Sequence, residues 1–239
     1  MAGFIAIWWI AATFADPLVL PSPSKTMSAL WTEAQSGALF VHMGATLLRV
    51  VCAFFVALFI GAAMGIFLGL NPAANRVFDP WVTLFLNIPA LVIIVLAYIW
   101  IGLNEAAAIG AVAVNKIPNV IVTLREGARS LSPELDEMAR VYRFSKKQML
   151  FDVILPQLQP FFAAASRSGI SLIWKIVLVV ELLGRSNGVG FQINLHFQLF
   201  DVATILAYTF SFVAVMLVIE MLVLQPWEGR ATRWRAVHA

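Results

Sequence analysis

The sequence predicts an all-α integral membrane protein with six transmembrane helices, and three observations carry that prediction. Hydrophobic residues make up 61% of the 239 residues and charged residues 12%, against roughly 45–50% and ~25% in soluble domains. The apolar residues fall in long charge-free runs rather than short alternating strands, which speaks against a membrane β-barrel. Lys and Arg gather in alternate loops between the runs, the pattern of helices inserted with one orientation. A soluble fold of this length has too little interior to hide so much apolar surface. That excludes a soluble enzyme, a disordered chain and a nucleic-acid-binding domain. The single cysteine, Cys52, lies in an apolar run, so the chain has neither a disulfide framework nor a cysteine metal cluster.

A spanning helix needs ~20 apolar residues. The first predicted segment is short, Gly3 to Ala15. The others run from Thr46 to Leu70, Trp81 to Leu103, Ala106 to Leu124, Leu158 to Leu183 and Val202 to Leu224. Thr13-Phe14-Ala15 could pass for a signal-cleavage site, but Met1 to Phe4 carries no Lys or Arg, so the first segment is expected to be retained. Arg76 follows the second segment. Arg125, Arg129, Arg140, Arg143, Lys146 and Lys147 lie between the fourth and fifth, and Arg230, Arg233 and Arg235 follow the sixth. The opposite loops hold Lys25 and Arg185, with Arg49 close by. Cations concentrate on the cytoplasmic side, so both termini are expected there, on a single multi-pass domain over residues 1–239.

The loops carry local signals. Leu20-Pro21-Ser22-Pro23-Ser24 is proline-fixed, and Ser24 is expected to cap a short outer helix through Trp31 and Ala34. Gly184, Gly188 and Gly190 surround Ser186 and Asn187, but no Lys-Ser or Lys-Thr follows, so this is not a phosphate-binding loop. The loop over 125–156 is amphipathic. Ser132-Pro133-Glu134 reads as N-cap, first-turn proline and dipole-facing carboxylate. Leu131, Leu135, Met138 and Tyr142 recur at helical spacing, and Asp136 and Arg140 form an i,i+4 pair. Ser145 with Gln148 is a capping box opening a second short helix, expected to end near Leu155, where Pro156 and Pro160 punctuate entry into the fifth segment. On chemistry alone this loop is either a docking surface or an interfacial helix on anionic lipid.

Glu137-Met138-Ala139, three residues, Arg143, nine residues, then Val153-Ile154-Leu155-Pro156 resembles the EAA motif of bacterial ABC importer permeases. That motif reads Glu-Ala-Ala, three residues, Gly, nine residues, Ile-x-Leu-Pro. Leu20 to Ser24, Ser132-Pro133-Glu134-Leu135, and Glu181-Leu182-Leu183-Gly184 with Gly188-Val189-Gly190 look like the nitrate/sulfonate/taurine branch. The resemblance implies a type I importer permease whose coupling helices, in the cytoplasmic loop between helices four and five, meet the ATPase through Glu137, Met138, Ala139, Arg140, Arg143, Leu155 and Pro156. It implies two ATP-binding cassette subunits carrying ATP and Mg, no cofactor in this chain, a second permease copy, and a periplasmic or lipid-anchored binding protein, all at the bacterial inner membrane. Two positions depart from the motif: Met138 replaces Ala, and Arg143 replaces the glycine that takes φ > 0 cheaply.

Polar residues inside spans are costly and point to function or to pairing. Asn87, Asn115, Lys116, Asn119, Lys175 and Glu181 are candidates for lining the pathway. The alternative is that the asparagines join helices and the charges snorkel or pair. Arg167, Trp174 and Glu181 form one stripe. Gly61, Gly65 and Gly69 are expected to let helices approach closely. Trp31, Trp81, Trp100 and Trp227 sit at span ends, as interfacial residues do. His42, His196 and His238 are too scattered for a metal site. The alternative reading is an ATP-independent secondary transporter or channel, a class that usually shows internal repeats, and a third is a membrane enzyme, which needs a catalytic constellation; the sequence shows no convincing repeat and no such constellation. Lys116 and Lys175 outnumber Glu181, which leans towards an anionic substrate such as nitrate, a sulfonate, taurine or bicarbonate.

Overall fold

A computed structural model describes residues 2–232. Arg233, Arg235 and His238, invoked above for orientation and metal binding, lie outside the described residues. The described chain is helical throughout, without strands.

Helix α1 is Ala2–Phe14, and α2 is Pro23–Gln35. Ser22, not the expected Ser24, caps α2: its side chain accepts from the Lys25 N–H, and Pro23 occupies the first turn, where no N–H is needed. Helix α3, Ala38–Leu70, starts well before the expected Thr46. Its 33 residues extend about 50 Å, beyond the ~30 Å apolar core of a bilayer.

The third predicted segment is not one helix. It divides into α4, Pro72–Asn87, and α5, Ala90–Ile101, bent by 95°. Pro89 supplies no N–H and drives the residue before it out of the α region. Ile88 is accordingly extended, at φ −73° and ψ 125°. Helix α6, Glu105–Arg129, is capped by Asn104 and runs through Pro118 without breaking. Helix α7, Pro133–Val141, precedes the long α8, Lys146–Gly184. After α9, Val189–Gln198, comes α10, Val202–Trp227, with helical backbone continuing to Thr232.

The expected stop at Pro156 and Pro160 does not occur. A wide turn over Met149–Ile154 shifts the hydrogen-bond register to i→i+5, with the Leu155 N–H donating to the Leu150 carbonyl. The two prolines are carried inside one continuous helix, and wide turns of this kind recur at functional positions.

Four described helices are long and apolar enough to cross a membrane: α3, α6, α8 and α10. The bent α4–α5 pair makes a fifth if counted as one span, and Ile5–Phe14 is a shorter apolar helix. The most extensive packing is α3 on α6. A Cβ at Gly61 would lie 2.6 Å from the Val120 Cβ, and one at Gly65 would lie 2.7 Å from the Ile121 carbonyl oxygen. The glycine stripe therefore packs inside this chain. Helices α3, α5, α6 and α8 enclose a core of Val50, Ala53, Ile94, Val112, Ile173 and Val177. The loop before α7 leaves one end of this bundle, and the α8–α9 turn closes the other.

Candidate functional site

The loop between α6 and α8 is assembled by local bonds. The Ser132 hydroxyl accepts from the Leu135 N–H and donates to the Glu134 carboxylate, holding that carboxyl below its usual range. The Ser132 N–H donates to Gln157 Oε1 at 2.9 Å, which ties the start of α7 to α8. Asp136 and Arg140 pair at 2.6 Å. At the end of α7 the Phe144 N–H reaches the Ala139 carbonyl at 2.9 Å, and the Arg143 N–H the Arg140 carbonyl at 3.0 Å. This is the paired-bond C-terminal turn in which the C′ residue is left-handed. Arg143 is that residue, at φ 53°. Arginine thus adopts the conformation for which glycine is favoured. Ser145 and Gln148 then form the expected reciprocal capping box.

Left-handed backbone costs a non-glycine residue about 1–2 kcal/mol, partly offset in glycine by roughly 0.5–1 kcal/mol of extra entropy loss. Arg143→Gly is therefore expected to stabilise the loop by about 0.5 kcal/mol. Amide hydrogen exchange across α7 should slow about twofold. Faster exchange would show that the Arg143 side chain contributes more than its backbone strain removes.

The loop presents two unlike faces. Ala139 is 2% exposed, buried against its own chain, where α7 lies on the wide turn at the start of α8. This differs from the expectation that Ala139 points outward: a small side chain is what lets α7 sit so close. Leu135, Met138, Val141 and Tyr142 are exposed, as are Glu137, Arg140 and Arg143, while Leu155 and Pro156 are half-buried.

At the opposite end of the bundle lies a polar junction that reading of the sequence missed. The Arg49 guanidinium donates to both Glu105 oxygens, at 2.8 and 2.7 Å, and to Glu181 Oε1 at 2.6 Å. It also meets the Asn187 carbonyl and side chain. Glu181 Oε2 accepts from the Thr46 hydroxyl at 2.9 Å and the Gly190 N–H at 2.8 Å. Arg185 closes the set on Glu105 at 2.6 Å. Two cations and two carboxylates balance, and the fork of Arg49 suits bidentate pairing. Gly188, at φ 111°, and Gly190 wrap the Glu181 carboxylate so closely that a Cβ on either would overlap Glu181 or the Leu178 carbonyl. This is the role of the glycine-rich loop. Glu181 is 0% exposed, so the expectation that it lines a pathway meets a closed junction instead. A signal was available: one Arg and one Glu, each isolated in a separate apolar run, are most cheaply buried together.

The other polar candidates are dispersed. Asn87 is exposed at the α4–α5 break and donates to the Thr83 carbonyl at 2.7 Å. Asn115 and Asn119 are half-buried on α6, and Lys116 between them is buried. Lys175 is exposed on α8, its ammonium 5.6 Å from the Trp174 ring centre. Arg167 pairs with Glu220 at 3.1 Å, which separates it from the buried Glu181 on the same stripe. No group of three metal-ligating side chains occurs among the described residues.

A family model described as "Binding-protein-dependent transport system inner membrane component" matches residues 57–224. The chain is 28% identical over 242 residues to the taurine transport system permease protein TauC of Escherichia coli, covering 96% of this chain and 88% of that protein. It is 29% identical over 191 residues to the putative aliphatic sulfonates transport permease protein SsuC of Escherichia coli, covering 79% and 73%. It is 29% identical over 238 residues to the bicarbonate transport system permease protein CmpB of Synechococcus elongatus, covering 94% and 86%. Among solved structures it resembles the inward-facing MetNI methionine ABC transporter, with TM-score 0.62, 20% identity, and 79% of this chain and 91% of that chain covered. It also resembles an amino acid ABC transporter crystallised with histidines, with TM-score 0.64, 17% identity, and 84% and 97% covered.

Proposed function

We infer that this chain, which belongs to the binding-protein-dependent transport system inner membrane component family, serves an ATP-driven importer that moves a small anionic solute. The observation that carries the coupling role is the loop of α7 and the start of α8. A capped helix, a left-handed turn at Arg143 and a second capped helix give a fixed surface at one end of the bundle, with motif spacing intact. Glu137, Met138, Arg140 and Arg143 form its outward contacts with an ATPase subunit, Ala139 seats α7 on the wide turn of α8, and Leu155 and Pro156 follow that turn. The relatives named for taurine, sulfonates and bicarbonate support an anionic substrate.

In this reading two ATPase subunits carry ATP and Mg, a second permease copy completes the membrane part by two-fold symmetry, and a binding protein delivers the solute. Counting α1 and the bent α4–α5 pair as one span each makes six spans, with the coupling loop and both termini cytoplasmic and the membrane the bacterial inner one. Asn87, Asn115, Lys116, Asn119 and Lys175 belong to the pathway, and Glu181 to the junction that holds the outer end of the bundle.

The test is copurification of an ATPase subunit together with thiol labelling of intact cells. In a Cys52→Ala background, Lys146→Cys should resist an impermeant reagent and Ser186→Cys should react. Ser186 is used because Arg185 belongs to the ion-pair junction. The reverse labelling pattern, or a chain that retains no ATPase, would overturn this function.

A further inference from the structure

Several charges within the helices pair off. Arg49 and Arg185 meet Glu105 and Glu181, Arg125 meets Asp79, and Arg167 meets Glu220. Lys116 and Lys175 have no carboxylate partner among the described residues. Lys116 is 2% exposed. Among the described residues its ammonium, with three protons to donate, reaches only the Ser168 carbonyl, at 3.5 Å, a length at which little hydrogen-bond strength remains. Its stem passes Gly169 and the Phe54 ring, so the surroundings are apolar. An ionisable group kept inside a membrane protein without a partner marks a functional position.

The neighbouring polar groups point the same way. Ser168, Ser171 and Lys175 are exposed, and their spacing puts them on one face of α8. A polar strip at membrane depth is unfavourable against lipid and suits a water-filled passage. On α6, next to Lys116, the half-buried amides of Asn115 and Asn119 have no hydrogen-bond partner among the described residues. The Ser168 and Ser171 hydroxyls donate to the Ala165 and Ser168 carbonyls within their own helix, bonds that rotation can exchange. Glu220, which lines a crevice with Ser171, is already paired with Arg167.

We propose that the wall formed by α6 and α8 carries a contact site for a small oxyanion, made by Lys116 with Asn115, Asn119, Ser168, Ser171 and Lys175. The site rests on the importer reading and identifies where in the membrane the anion is held. Donors dominate this wall, with two ammoniums, two amides and two hydroxyls on α6 and α8, and the nearby carboxylate Glu220 is engaged by Arg167. A carboxylate or sulfonate offers only acceptors, and bicarbonate adds one O–H to its acceptors; each carries a single negative charge to meet an ammonium, and Lys116 can turn its flexible stem from the Ser168 carbonyl towards such a ligand.

The experiment compares wild type, Lys116→Gln and Lys116→Arg as purified chain in lipid nanodiscs. Each is titrated with methanesulfonate or bicarbonate against chloride at constant ionic strength, with thermal unfolding as the readout. The oxyanions are expected to raise the wild-type Tm saturably, to raise that of Lys116→Arg partly, and to leave Lys116→Gln unmoved. Without anion, Lys116→Gln should unfold about 2–4 °C higher than wild type, because a buried unpaired charge is gone. A structural lysine predicts the opposite sign. Equal anion shifts in wild type and Lys116→Gln, or a lower anion-free Tm in Lys116→Gln, would overturn the site. Uptake by the complete transporter separates the two claims: wild type that binds the oxyanion but never imports an anion removes the importer reading and leaves the site.

Discussion

Glu181→Met is expected to destabilise the folded chain by about 3–5 kcal/mol, the range for breaking a buried ion pair by removing one partner. Its carboxylate is wholly buried and accepts from Arg49, Thr46 and Gly190. Methionine would leave the Gly190 N–H unsatisfied and the Arg49 guanidinium short of one anion. Arg49→Met should cost a comparable amount by stranding Glu181. The double variant is the informative one. Glu105 retains Arg185, so removing both members of the Arg49–Glu181 pair leaves no stranded charge. Its stability should recover by more than half of the summed single losses, short of wild type because the Gly190 N–H still lacks an acceptor. Thermal unfolding in detergent of the four proteins completes the cycle. Additive losses would mean that the pair acts as two independent contacts and not as a junction between α3, α8 and α9.

The second large effect is expected at Ala139. Glutamate there overpacks the seat of α7 by roughly 1–3 kcal/mol and desolvates a carboxylate. The helix should lift from the wide turn of α8, so that the chain still inserts in the membrane but retains little ATPase and imports almost nothing. Tyr142→Ala tests the exposed face instead. It removes an outward side chain without disturbing the seat, so ATPase retention should fall while hydrogen exchange in α7 stays unchanged. A loop that merely rests on lipid would tolerate both substitutions. Wild-type uptake and full ATPase retention in Ala139→Glu would rule out coupling through this loop.

Much of the architecture was legible because it is set by short-range physics. A charge-free apolar run long enough to cross a bilayer is driven to helix, since lipid offers no partner for its backbone, and among these runs only the one with Pro89 is broken. The caps at Ser132 and Ser145 follow from side chains bonding to N–H groups two or three residues away. Prolines show where local reading stops. Pro80, Pro118 and Pro160 sit inside continuous helices, while Pro89 breaks one. The residue is the same each time, and the packing around it decides whether the lost hydrogen bond is tolerated. The wide turn before Pro156 likewise depends on α7 lying against it, and the inward turn of Ala139 on the same contact.

What the sequence alone determined is therefore the helical membrane class, most of the apolar segments and the caps of the loop between α6 and α8. Only the tertiary structure decided which charges meet. Arg49 and Glu181 are 132 residues apart, and no periodicity within either helix pairs them. Their attraction acts once α3, α8 and the Gly188–Gly190 turn have closed around them, and that same closure leaves Lys116 without a carboxylate.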